Sequence, residues 1–163
     1  MILELCEWLE TTSVALLVRE STYGFPIVVA FHIMGLTLSV GMLVWFDLRL
    51  LGFVMTKTRV SDLYRRLAPY IICGFVVMFG SGLMLFAAFA VAAYGNVFFR
   101  IKLAAMIIAG LNALVFHFAT ERSIATWDQL PRPPLLARIA GVTSAVVWMV
   151  AIFSGRLMSY TMF

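Results

Sequence analysis

The sequence has few charged residues for its length. Only 12% of its 163 residues are charged, whereas 63% are hydrophobic. Soluble domains usually carry about twice this share of charge. A soluble core of this size could not bury so much apolar surface, so the composition predicts that lipid surrounds much of the chain. The net charge of +4 is modest; in a membrane protein it reflects loops that set orientation, and it predicts no nucleic-acid partner.

Cysteine motifs and catalytic motifs are also missing. Cys6 and Cys73 form neither CxxC nor CxxCH, which excludes a disulfide framework and c-type haem attachment. The acidic start, MILELCEWLE, has no small-residue cleavage site, so we expect no separable signal peptide. A nucleophile elbow, a phosphate loop, a zinc motif and paired carboxylates are all absent. These absences disfavour hydrolase and kinase chemistry and favour chemistry carried by a bound cofactor.

Four long apolar runs dominate what remains. At ~1.5 Å per residue, the first run covers about 30 Å, which is one bilayer core. A short amphipathic segment, residues 2–18, precedes the runs and is too charged to span, so we expect it at the interface. The sequence therefore predicts an all-α integral membrane four-helix bundle in one domain, with an interfacial N-terminal helix and spans at about 25–46, 69–94, 97–119 and 135–158.

The loop charges predict an orientation. The loops after the first and third spans hold most of the basic residues, namely Arg49, Lys57, Arg59, Arg65, Arg66, Arg122, Arg132 and Arg138. The opposite side holds Arg19, Arg100, Lys102 and Arg156. The positive-inside rule then places both termini outside, in the periplasm of a bacterial inner membrane.

His32 is the leading candidate for a functional residue. It lies seven residues past Phe25, about 10 Å below the outer surface, and ionisable residues at such depth are usually functional. One interpretation is an axial ligand to haem iron; the other is a buried histidine bonded to a neighbouring helix. Lys102 and Arg156 fall in the same outer half. Three interpretations are open for Lys102: a second iron ligand, a cation that pairs with an anionic group, or a lysine that extends to the membrane interface. Two are open for Arg156: a residue that binds a carboxylate, or an anchor at the interface.

The second histidine, His117, lies near the inner end of the third span. It is separated from His32 by roughly 15–17 Å along the membrane normal. One iron cannot bind both histidines, because its axial ligands lie only about 4 Å apart, twice a typical metal–nitrogen distance of about 2 Å. His117 either pairs with Glu121 one turn later or marks a second cofactor or a proton entry point.

Three further polar residues interrupt the spans. Asp47 and Arg49 end the first span, where we expect them to anchor the basic loop or to pair with the second span. Asn112 lies inside the third span, where a hydrogen bond between helices is the simpler interpretation than a catalytic amide.

Two segments carry a family resemblance. They are VRESTYGFPIVVAFHIMGLTLSVGMLVWFDLRLLG, residues 18–52, and FFRIKLAAMIIAGLNALVFH, residues 98–117, followed by SGRLMSY near the end. Together they resemble a family of small, uncharacterised bacterial four-helix membrane proteins of the DUF6644 type. This resemblance covers nearly the whole chain and implies the fold, but it brings no activity with it.

A more distant resemblance rests on a first-span histidine followed by a lysine at the start of the third span. This arrangement is similar to that of HemJ-type protoporphyrinogen oxidases and CopD-like membrane proteins. The HemJ resemblance implies haem b, with His32 as the ligand and Lys102 as its partner. The long N-terminal segment and the DLRLLG motif depart from the HemJ pattern.

The leading hypothesis is a haem b-binding membrane protein that transfers electrons at the outer face, as a subunit beside a redox partner protein or a quinone. A homo- or hetero-oligomer is compatible with this role. The second hypothesis is a HemJ-type enzyme that oxidises a porphyrin or a quinone. The third is a non-catalytic subunit or small transporter without a cofactor, in which His32 and Lys102 form a polar contact or a relay.

Overall fold

The computed structural model describes residues 1–120 and 124–162, and this part of the chain is helical, without strands. Four helices are long and apolar enough to cross a membrane, which confirms the predicted all-α membrane bundle. The helices are α1 (Ile2–Glu10), α2 (Ser13–Glu20), α3 (Gly24–Leu50), α4 (Val60–Ala88), α5 (Ala90–Gly95), α6 (Val97–Thr120), α7 (Ile124–Trp127) and α8 (Leu135–Thr161).

The four long helices form two tight pairs. α3 packs along α4, α6 packs along α8, and the contact between α3 and α8 joins the pairs. We call the end of the bundle that holds both termini the terminal end, and the end that holds residues 51–59 and 124–134 the loop end. α3 and α6 run from the terminal end to the loop end, and α4 and α8 return.

Two glycines bring the backbones of α3 and α4 into contact. A Cβ atom on Gly35 would lie 2.6 Å from the Met78 nitrogen, and one on Gly74 would lie 2.5 Å from the Ser39 nitrogen. Any larger residue would push the helices apart, so this close pairing requires glycine at both positions. It fixes the relative position of the α3 and α4 side chains, including those near His32.

The second span differs most from its predicted limits of 69–94. α4 begins at Val60 and carries Pro69 inside it, because its first turn is capped from the distant loop by Asp128. The Val60 nitrogen donates to the Asp128 carbonyl at 3.2 Å, and the Ser61 nitrogen donates to the Asp128 carboxylate at 2.8 Å. α4 then stops at Ala88, since Phe89 (φ −138°, ψ 36°) leaves the helical conformation and α5 follows.

The N-terminal segment is two helices and not one. Thr12 separates α1 from α2 and caps α2 by accepting a hydrogen bond from the Ala15 nitrogen. Glu10 ties the segment to the bundle, because its carboxylate accepts from the Val91 nitrogen at 2.9 Å and pairs with Arg19 at 3.3 Å. Most of the large apolar side chains of α1 are exposed, as expected of a helix at a membrane interface; the exposed ones are Ile2, Leu3, Leu5 and Trp8.

Candidate functional site

His32 is half-buried in the half of α3 nearer the terminal end, where its ring contacts α4. The Nδ1 atom lies 2.9 Å from the Met78 carbonyl oxygen and 3.2 Å from the Ser81 hydroxyl. The Ser81 hydroxyl donates its own hydrogen to the Val77 carbonyl at 2.6 Å, so both neighbours of Nδ1 act as acceptors. This environment assigns the proton of a neutral imidazole to Nδ1. The Nε2 atom then carries the lone pair, and it has no hydrogen-bond partner among the described residues.

Gly82 provides the space that the imidazole occupies. A Cβ atom at this position would lie 3.1 Å from His32 Cε1 and 3.4 Å from Nδ1. Such contacts are tighter than ordinary van der Waals packing, so any side chain here would displace the ring. Within the stretch Gly80-Ser81-Gly82, Ser81 contributes a hydroxyl group near His32 Nδ1, and Gly82 leaves room for the imidazole ring. The sequence shows this stretch only as a run of small residues.

Lys102 lies at the same level as His32, on a different helix. Its half-buried side chain crosses from α6 to α8, where Nζ lies 3.6 Å from the Cβ position of Gly155. Its charge is close enough to act on the His32 imidazole. In the part of the chain that the structure describes, no carboxylate pairs with this ammonium group. The structure thus places the Lys102 side chain against the end of α8; its joint role with His32 stays a prediction.

Arg156 follows Gly155 but belongs to the surface. It is exposed, donates a hydrogen bond to the Tyr160 hydroxyl at 3.2 Å, and lies over the Tyr160 ring at 5.0 Å. This local pair at spacing four is typical of an interfacial anchor. A role for Arg156 as a clamp for a carboxylate stays a prediction, and it would require Arg156 to leave Tyr160.

His117 and Asn112 lie farther along α6. His117 is twenty residues past Val97, about 30 Å along the helix, and its exposed ring makes an edge contact with Phe118 at 5.2 Å. Glu121, its predicted partner, lies outside the described residues. Asn112 donates to the Ala140 carbonyl of α8 at 3.0 Å, which is the hydrogen bond between helices that the sequence suggests.

Arg49 anchors the loop end of the bundle. Its side chain is completely buried, and its guanidinium donates to the Thr58 carbonyl at 2.9 and 3.1 Å and to the Leu130 carbonyl at 3.2 Å. It thereby joins the two connecting loops, and the expected anchoring of the basic loop is found. We call Arg49, Ser61 and Asp128 the loop-end cluster.

Asp128 completes the loop-end cluster. Burial raises the pKa of its carboxyl, but hydrogen bonds from the Ser61 nitrogen and hydroxyl and the nearby Arg59 charge outweigh burial and lower the pKa below 3.8. Asp47 does not belong to this cluster. It faces α8, where the Ser144 hydroxyl hydrogen-bonds to its carboxyl, so the alternative of pairing with the second span is not found.

Two shallow grooves lie on the outside of the bundle. One, about 570 Å³, runs between α2, α3 and α4 and reaches Ser81. The other, about 480 Å³, runs between α6 and α8. Apolar side chains line both grooves almost entirely, as expected of surfaces that contact lipid. Neither His32 nor Lys102 is among the described residues that line them.

The fold and these polar residues define a multi-pass membrane protein with a histidine and a lysine at one level of its bundle. The model of a family of unknown function, DUF6644, matches residues 5–161, and the chain belongs to this family. No curated protein and no solved structure matches the chain. The distant resemblance to HemJ-type and CopD-like proteins stays a prediction.

Proposed function

We propose that the protein binds haem b in the membrane, with His32 as an axial ligand, and that it transfers electrons. The observation that supports this proposal is the hydrogen bond between His32 Nδ1 and the Met78 carbonyl, 2.9 Å long. Histidines that bind metals usually donate their second ring nitrogen to a carbonyl or carboxylate, which fixes the tautomer and orients the ring. The same bond leaves Nε2 as the ligand atom, and a histidine is a common axial ligand to haem iron.

Lys102 would complete the site in one of two ways. As a neutral amine, Lys102 would serve as a second ligand, whereas as an ammonium group it would compensate a propionate. The lack of a carboxylate partner among the described residues leaves Lys102 available for either role. Arg156 is the second candidate for a propionate, since it follows the glycine that Lys102 contacts.

The chemistry of the bound haem would be one-electron exchange, and the protein's part would be to hold it in an apolar environment. In the predicted orientation, His32 lies in the periplasmic half of a bacterial inner membrane. A quinone or a redox partner protein would exchange electrons there, and assembly with such a partner, or with a second copy, belongs to the same proposal.

The test is an absorption spectrum of the purified protein, oxidised and then reduced with dithionite. We expect a Soret band that His32→Ala removes or shifts. His117→Ala is the matched control, because it removes the other histidine from an exposed position and should leave the band unchanged. A colourless, correctly folded protein from haem-replete cells would contradict the proposal and favour a subunit or transporter without a cofactor.

A second experiment separates an electron carrier from an enzyme. A protein that binds haem through His32 but fails to complement a strain lacking protoporphyrinogen oxidase acts as an electron carrier. Complementation that depends on His32 and Lys102 would instead support the HemJ-type alternative.

A further inference from the structure

Asp47 has no role in the proposed haem site, yet it is the most deeply buried carboxylate of the described residues. Only 3% of the residue is exposed, and its Oδ2 atom has no hydrogen-bond partner. It lies fifteen residues after His32, about 22 Å farther along α3. An ionisable group inside a membrane helix calls for a functional explanation, and an unsatisfied buried oxygen does so as well.

The surroundings of Asp47 form a polar layer across three helices. The Ser144 hydroxyl of α8 hydrogen-bonds to its carboxyl. One turn earlier on α8, the Ala140 carbonyl accepts the hydrogen bond from Asn112 of α6. Thus α3, α8 and α6 each contribute polar groups at adjacent turns, within an otherwise apolar core. We call Asp47, Ser144 and Asn112 the polar layer.

No positive charge in the described part of the chain compensates an ionised Asp47. Arg49 is turned toward the loop carbonyls. The titratable groups of the neighbouring helices near this end are Asp62, Tyr64, Arg65 and Arg66 of α4, His117 of α6 and Arg138 of α8; Asp62 is half-exposed and the others are exposed. Burying a carboxylate without a cation costs several kcal/mol, and such a group usually neutralises by binding a proton.

A metal cation fits this place poorly. A hard cation takes about six oxygen ligands, whereas the polar layer offers one carboxyl group, one hydroxyl group and one amide group. α3 and α8 are also in close contact here, since a Cβ atom on Gly141 would lie 3.2 Å from the Asp47 carbonyl oxygen. The described residues contain no group of three or more acidic, histidine or cysteine side chains that could hold a metal.

We infer that Asp47 is a proton-binding site, and that the polar layer holds this proton near the loop end of the bundle. Asp47 lies three residues before the end of α3, about 5 Å from the loops, so the proton exchanges with water on the loop side. This inference does not depend on haem. If His32 does bind haem, the same helix carries an electron site and a proton site.

The test is infrared spectroscopy of the purified protein in a detergent without ester groups. At neutral pH, the difference spectrum of wild type minus Asp47→Asn should show the carbonyl stretch of one protonated carboxyl group, shifted to lower frequency in D₂O. Asp62→Asn is the matched control, because that exposed carboxylate pairs with Arg65 at 2.6 Å and should give no such band. Absence of the Asp47 band at neutral pH overturns the inference.

A second variant protects the test against misfolding. Ser144→Ala keeps the carboxyl group and removes its hydrogen bond, so the same band should persist at higher frequency. A band that Ser144→Ala does not shift overturns the inference, and so does a band that NaCl removes at constant pH, since it would identify a cation site. Loss of the band only when the pH is raised supports proton binding.

Discussion

The two ends of the bundle use buried polar residues in different ways. At the loop end, Arg49 makes three hydrogen bonds to loop carbonyls, and Asp128 caps the first turn of α4. At the terminal end, His32 uses one ring nitrogen for α4 and leaves the other without a partner, while Lys102 has no carboxylate partner among the described residues. The first arrangement holds the fold together, whereas the second leaves atoms available to a ligand.

The difference lies in what each side chain holds together. Arg49 joins two loops through Nε and Nη2, although its Nη1 has no partner, whereas His32 contacts α4 through Nδ1 alone. A buried polar group without a partner costs free energy, so it persists where a ligand, a proton or function compensates. In the described part of the chain, the buried side-chain atoms without a partner are Asp47 Oδ2 and Arg49 Nη1, whereas His32, whose Nε2 also lacks a partner, is only half-buried. Substitutions at the two ends can separate a side chain that holds loops together from one that leaves an atom available to a ligand.

The largest effect is expected from Arg49→Ala. This change leaves the Thr58 and Leu130 carbonyls without their donors and opens a cavity, so it should lower the free energy of unfolding by roughly 3 kcal/mol. Arg49→Lys should recover part of the loss, because an ammonium group keeps the charge but not the fork-shaped donor set. The measurement is the thermal unfolding midpoint in detergent.

The exposed Arg65 is the matched control for Arg49. It pairs only with Asp62, three residues away, and surface pairs of this kind contribute about 0–1 kcal/mol. Arg65→Ala should therefore leave the midpoint nearly unchanged. Equal losses in Arg49→Ala and Arg65→Ala would contradict the distinction between a structural end and a ligand-binding end.

The sequence predicts the bundle well because its signal is hydrophobic length, which depends on local composition alone. Depth along helices of known rise also places His32 beside Lys102, since three helices of similar length must share one bilayer. The start of α4 could not be predicted in the same way. Pro69 suggests a helix beginning there, but the cap that starts α4 at Val60 comes from Asp128, sixty-seven residues later than Ser61.

Side-chain directions are the second feature that the sequence leaves open. Spacing shows that Arg156 is near Lys102 in depth, but the partner of Arg156 is Tyr160 on its own helix. Arg156 and Tyr160 are four residues apart in the sequence, so Tyr160 is the simpler partner for Arg156 than a bound ligand. The contact between Gly82 and His32 depends on which faces of α3 and α4 meet, and no sequence pattern determines that.

Gly82→Ala tests the terminal end. The added Cβ would press on the His32 ring at 3.1 Å, so we expect it to turn the ring away from the Met78 carbonyl. Changes in the residues that orient a metal-binding histidine typically cost 10–100-fold in affinity, and here we expect about tenfold less haem to be retained. The measurement is the haem content per protein after purification.

Two other glycines give controls for Gly82→Ala. Nothing lies within 4 Å of a Cβ atom on Gly80, and a Cβ atom on Gly155 would make only an ordinary 3.6 Å contact with Lys102. Gly80→Ala and Gly155→Ala should therefore retain the haem of the wild type. If Gly155→Ala also lost haem while the fold stayed intact, the position of Lys102 would be as important for haem binding as the position of His32.

The smallest effect is expected at Asp128, and it depends on pH. Because the pKa of Asp128 is lowered below 3.8 in the folded protein, its ionised form contributes stability that is present above the unfolded pKa. This contribution is lost as the pH falls through the folded pKa. Asp128→Ala removes the cap and should cost about 1 kcal/mol at neutral pH.

Asp128→Asn separates the cap from the charge, because an asparagine oxygen still accepts from the Ser61 nitrogen. We expect this variant to unfold near the wild-type midpoint at neutral pH but to lose less stability when the pH falls below 3.8. The measurement is the thermal midpoint as a function of pH, with Asp62→Asn as the exposed control. A wild-type midpoint that falls in acid no more steeply than that of Asp128→Asn would show that the carboxylate charge adds nothing to the loop-end cluster. The stability of that end would then rest on Arg49 and the backbone hydrogen bonds alone.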